Sequence, residues 1–155
     1  MGLDMTLQCR KNIYGMYDFI GADNGTIDIY KDGEKLDIPF EKIHYIILEC
    51  ASWRKAYHIH RWFVQNVQED DDDCGEYFVP IEKLKELLKV CKTVYKKKNH
   101  VLSDAILPTK SGFFFGNTEY DEYYYNEVKY TIEILEEIIK KHNPKVDSYI
   151  YSSSW

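Results

Sequence analysis

No apolar stretch in this chain is longer than a few residues, which excludes an ordinary membrane-spanning helix. Closely spaced cysteines are missing too: Cys9, Cys50, Cys74 and Cys91 form no Cys-x-x-Cys pair, so a zinc site is not expected. With no signal segment ahead of them they read as reduced thiols of a cytosolic protein. Cationic surplus is also lacking. A formal net charge of -6 argues against non-specific nucleic-acid binding, which needs excess Lys and Arg to release counterions, so any basic site must be local. Catalytic signatures are absent as well: no Gly-x-Ser-x-Gly elbow, no His-Glu-x-x-His, no paired His-x-Thr or His-x-Ser, no His-Asp. Thr109-Lys110-Ser111-Gly112 lacks the glycines that wrap phosphates in a true phosphate loop.

Aromatic residues are what the chain has in quantity, with 14 tyrosines among its 155 residues, and this suits a folded, adhesive protein. Its length fits one domain with a real core. Leu3, Met5, Leu7 and Cys9 alternate with polar neighbours, the period of a half-buried strand. Met1 to Thr6 also fits a loose myristoylation pattern, but no polybasic segment follows to supply a second anchor, and the strand reading is preferred. Thr26 to Tyr30 alternates again; Asp32-Gly33 supplies a hairpin turn and Leu36 and Ile38 resume the pattern up to Pro39.

Trp53, Ala56, Tyr57, His60, Phe63, Val64 and Val67 recur at helical spacing and predict a helix over 52–68, with Arg54, His58, Arg61 and Gln65 on its opposite face. The acidic run Glu69 to Asp73 reads as a solvated loop, and Tyr77-Phe78-Val79 as a short strand. Pro80 opens a second helix with Ile81, Leu84, Leu87, Leu88, Cys91, Val94 and Tyr95 inward and Lys96 to Lys98 at its C-terminal end. A third helix is predicted over 118–141, stopped by Asn143-Pro144, and Val146 to Trp155 forms a Tyr-rich strand. No repeat, linker or low-complexity tract divides these elements. The expectation is a single α+β domain over 1–155, a mainly antiparallel sheet with about three amphipathic helices packed on it.

Two constellations stand out. His58, with Arg54 four residues before and Arg61 three after, makes a donor stripe suited to phosphate or carboxylate oxygens, whose bland alternative is a solvated face. His58 and His60 diverge by about 200 degrees on a helix, so they predict no metal pair, and His60 reads as a core histidine with one satisfied nitrogen. The second constellation is Leu107 to Glu122, where Gly112 and Gly116 bracket Phe113, Phe114 and Phe115 ahead of Tyr120, Tyr123, Tyr124 and Tyr125. Thr118 with Asp121 reads as a helix start whose free N–H groups attract anions; the bland reading of Asp121 and Glu122 is a cap and dipole partner. Some of these rings must be core, and one left at a rim can stack on a base.

Met1 to Met5, Ala51 to Ala56 with Ile59 to Val64, Leu107 to Glu122 and Ser153-Ser154-Trp155 together resemble a family of small bacteriophage and prophage proteins. The resemblance covers nearly the whole chain. It brings no catalytic motif and implies a context: a host-cytosolic accessory protein of the kind that counters host defences, in some cases a sponge that holds an immune signalling nucleotide without cleaving it. The expected function is therefore non-catalytic sequestration of a small phosphorylated or nucleotide-like ligand, with no cofactor and no metal. Arg54, His58, Arg61 and Lys110 would meet phosphates; Ser111, Gly112, Asn117 and Thr118 would offer donors; Trp53, Trp62, Phe114, Tyr120 or Tyr124 would stack on a base. Rival expectations are an inhibitor docking on a host enzyme through aromatic and acidic surface, and a nucleotide-processing enzyme using His58 or His60 with Asp121 or Glu122. The terminal strand, free to pair with a copy of itself, leans toward a homo-oligomer.

Overall fold

A computed structural model describes residues 2–13, 27–110 and 118–155. Its frame is a four-stranded antiparallel sheet in the order β4-β1-β6-β5, built from β1 (Asp4–Asn12), β4 (Tyr45–Arg54), β5 (Glu76–Val79) and β6 (Asp147–Ser154). A separate two-stranded hairpin, β2 (Tyr30–Lys31) with β3 (Glu34–Lys35), turns at Asp32-Gly33, where both residues have positive φ and glycine serves the turn. Helices are α1 (Tyr57–Asn66), α2 (Ile81–Lys97), α3 (His100–Ile106) and α4 (Glu122–Lys141). The fold is α+β, as expected.

Alternation does the work in β1 and β6. Leu3, Met5, Leu7 and Cys9 are buried with Tyr149, Tyr151 and Ser153, while the residues between them are half-buried or exposed, so one face of the sheet carries the core. On that face the Phe63 ring of α1 stacks on Tyr151 with centroids 4.0 Å apart, and Trp53 Nε1 donates to Thr131 Oγ1 of α4 at 2.9 Å. The α2 stripe closes the other flank of α4 through Leu84, Leu87, Cys91 and Val94.

Several expectations change. Trp53 and Arg54 belong to β4, not to a helix: Lys55, at φ 58, breaks the chain between strand and helix, and α1 starts only at Tyr57. The helix before the third predicted one, α3, was not expected; Lys98 ends α2 in the left-handed region and Asn99 recaps the chain by accepting from Leu102 N. The long helix starts at Glu122 rather than Thr118. β6 lies inside the sheet with β1 on one side and β5 on the other, so it has no free edge along which to pair with a copy of itself; among the described residues the outer strands are β4 and β5. The acidic run is not simply solvated: Asp72 bridges the buried His60 at 3.0 Å and Trp155 Nε1 at 3.2 Å.

β1 and β4 change register between Leu7 and Gln8. Leu7 faces Ala51 and Gln8 faces Glu49, which leaves Cys50 as the extra residue of a β-bulge. Beyond the bulge Leu48 faces Cys9, so the bulge turns Leu48 to the core side of the sheet.

Candidate functional site

At the C-terminal end of β4 the strand, the start of α1 and the start of α4 converge. Arg54 is exposed and pairs with Asp4 at 3.6 Å, while its carbonyl accepts from Tyr123 OH at 3.3 Å. Tyr57 opens α1 and lies beneath Lys110, whose Nζ is 5.8 Å from the ring centroid. The His58 ring lies 4.4 Å from Tyr124, and Tyr124 OH donates to Leu107 O at 2.8 Å. Tyr120 packs on Tyr124 at 5.0 Å and donates to Asp104 at 2.6 Å while accepting from Thr109 N. Thr109 Oγ1 donates to Thr118 O at 2.9 Å, which ties together the two residues flanking 110–117.

The two helix starts here differ electrostatically. At α4 the Asp121 carboxylate accepts from Tyr124 N at 3.1 Å and Glu122 occupies the first turn, so the helix satisfies its positive end with its own anions. The expectation that this start attracts an anion is corrected on that ground. At α1 no side chain caps the helix, the first turn holds no acid, and Arg54-Lys55 precede it. Ala56 O takes the Ile59 and His60 amides at 3.0 and 3.1 Å, and the cations before the helix stand at its positive end without an acid in the first turn to balance them.

His58 is the opposite of the solvated donor that periodicity predicts. It is buried, its Nε2 has no hydrogen-bond partner, and burial alone pushes its pKa down from 6.5 to about 3, so the ring is neutral. His60, expected to satisfy one nitrogen, has a partner at both: Nε2 lies 3.0 Å from Asp72 Oδ2 and Nδ1 lies 2.8 Å from Tyr151 OH. Trp53, Trp62 and Tyr124 are core residues rather than open platforms. Arg61 is half-buried on α1, Tyr120 is half-buried, and Thr118 and Lys110 are exposed. Ser111, Gly112, Phe114 and Asn117 lie outside the described residues, as do Phe113, Phe115 and Gly116. Structure thus gathers Arg54, His58, Lys110, Thr118, Tyr120 and Tyr124 at one end and adds Lys55 and Tyr57, which sequence reasoning left out of the site, and Tyr123, which it placed in the aromatic cluster without a binding role. Lys55 had a signal, since two cations precede a helical run; Tyr57 had been assigned to the apolar stripe.

A second feature lies at the far end of α4. A cleft of about 390 Å³ between that helix and the sheet is lined by Cys9, Lys11, Cys50, Glu137, Asp147 and Tyr149 among others. From Tyr124 to Glu137 the helix rises about 20 Å, so the cleft and the basic, aromatic end are separate places. Among the described residues no group of three or more His, Cys, Asp or Glu side chains is placed to hold a metal, and no helix is long and apolar enough to cross a membrane. No family model, curated protein or solved structure matches the chain.

Proposed function

We propose that the protein binds a small phosphorylated, nucleotide-like ligand at the end where β4, α1 and α4 meet, and holds it without converting it. The observation that carries this reading is the cationic start of α1: no side-chain cap, no acid in the first turn, and Arg54 and Lys55 immediately before it. Lys110 stands over Tyr57 on the same side, and the half-buried Tyr120 with the exposed Tyr123 supplies aromatic surface for a base.

The buried histidine and the tyrosines around this place are poor acids and bases near neutral pH, which favours binding over turnover by these groups. His58 stays neutral down to about pH 3, and desolvation pushes the Tyr120, Tyr123 and Tyr124 phenols above their ordinary range. Capture without chemistry is the behaviour of a sponge, and with the phage-protein resemblance it suggests a host signalling nucleotide as the ligand.

The test is calorimetric titration of the chain with a panel of mono-, di- and cyclic nucleotides. Arg54→Glu and Lys110→Glu should each lower affinity at least tenfold with the unfolding midpoint unchanged, and the nucleotide should be recovered intact. Two variants that bind as tightly as the wild type place the site elsewhere; recovery of a cleaved nucleotide replaces sequestration with catalysis.

A further inference from the structure

The cations of this acidic chain are unevenly spread. From Ile81 to Lys98, α2 and its C-cap carry seven lysines against two glutamates, although the whole chain has 26 acidic residues against 20 basic ones. Lys85, Lys89, Lys92 and Lys96 follow one another at steps of four, three and four residues. At about 100 degrees and 1.5 Å per residue they share a sector about 60 degrees wide and about 16 Å long, into which no other residue of α2 falls. All four are exposed, and the buried Leu84, Leu87, Cys91 and Val94 occupy the opposite side of the helix. The acids of α2 stand outside the stripe: Glu86 pairs with Lys83 at 2.9 Å, and Glu82 sits in the first turn. Lys92 reaches Glu136 of α4 at 2.6 Å, whereas Lys85, Lys89 and Lys96 enter no ion pair among the described residues. Helix stability does not account for this arrangement. Lys96 complements the negative end of the dipole, but Lys85 and Lys89 lie in the N-terminal half, and like charges three and four residues apart weaken a helix.

We propose that the lysine stripe of α2 docks the phosphodiester backbone of a nucleic-acid duplex without reading its sequence. A row of point charges on a convex, exposed face suits a row of phosphates. Exposed lysine–carboxylate pairs gain little one by one, so an acidic protein is a weak match, whereas a phosphate backbone releases condensed counterions for each lysine it meets. A bilayer would present a plane of negative charge to the whole acidic molecule, and the stripe has no apolar side chain to insert; a duplex is a rod that meets one helix face. The stripe also has no aromatic ring on which an unpaired base could stack, which favours paired strands over a single one. The overall charge of -6 confines the contact to this face.

The experiment titrates labelled duplexes of about 20 base pairs and two unrelated sequences with the full chain, following anisotropy from about 50 to about 200 mM salt. Both sequences should bind alike. Four phosphate contacts predict that log affinity falls with log salt at a slope of about -3.6, a loss of roughly 150-fold over that range. Lys85→Gln/Lys89→Gln should make the slope shallower by about two and weaken low-salt binding at least tenfold, while unfolding no earlier than the wild type. Lys31→Gln/Lys35→Gln, the same loss of charge placed on the β2–β3 hairpin, should bind as the wild type does. Absence of duplex binding at low salt overturns the proposal, as does equal weakening by the two double variants, loss of binding in Arg54→Gln instead of the α2 variant, or binding of one sequence alone. Capture by phosphatidylserine vesicles without duplex binding overturns it in favour of a membrane surface.

Discussion

His58 makes the fold acid-sensitive in a way that can be isolated. The ring is buried and neutral in the folded protein, with a pKa near 3, and titrates at 6.5 once the chain unfolds. Between these values the unfolded chain binds a proton that the folded one excludes. Stability is therefore full above pH 6.5 and falls as the pH drops from 6.5 toward 3, by about 1.4 kcal/mol per pH unit. From pH 6.5 to 4.5 the loss from this one residue is about 2–3 kcal/mol, a large share of the 5–15 kcal/mol typical of a domain. His58→Phe keeps an aromatic ring against Tyr124, at present 4.4 Å away, and removes an Nε2 that has no partner. At pH 7 the variant should be as stable as the wild type or more so, because replacing an unsatisfied buried polar atom by an apolar one carries little cost. Urea unfolding of both proteins at half-unit steps from pH 7.5 to 4.5 measures the difference, in which the other titrating groups cancel. Parallel decline of the two curves refutes the reasoning, for it means that His58 takes up its proton while folded.

Other consequences are simpler to test. Asp121→Ala removes the α4 cap and should cost about 1 kcal/mol in chemical unfolding, with Asp121→Asn retaining most of it. Tyr151→Phe keeps the stack on Phe63 but strands His60 Nδ1 in the core, an expected loss of about 1–3 kcal/mol by the same assay.

Long, one-sided elements were legible in the sequence. β1, α2 and most of α4 each bury one regular face, and their apolar spacing reports that directly. Trouble begins where the chain changes element without changing rhythm. Trp53, Ala56, Tyr57 and His60 keep helical spacing straight through the break at Lys55, so β4 and α1 read as one helix. The bulge hides β4 further, because it shifts the alternation by one residue between Ala51 and Glu49. His58 was put on the wrong face for a different reason: α1 is buried on more than one side, with His58, Ile59, His60, Trp62 and Phe63 all inside, and a two-faced pattern does not describe such a helix. At the candidate site the cations Arg54 and Lys110 were legible as charges. Which helix start they serve was not, since that depends on Asp121 capping α4 while the start of α1 has no side-chain cap.

The interior position of β6 also bears on how the chain folds. β1 reaches across most of the sequence for this neighbour, Met5 lying opposite Ser153, and β5 joins the sheet only through β6. Closing so large a loop costs entropy before any contact repays it, so this topology predicts that β6 arrives late between β1 and β5. Until then the helices have no complete floor to settle on, and β1 and β5 each present a bare edge that a neighbouring molecule in a crowded solution can occupy instead.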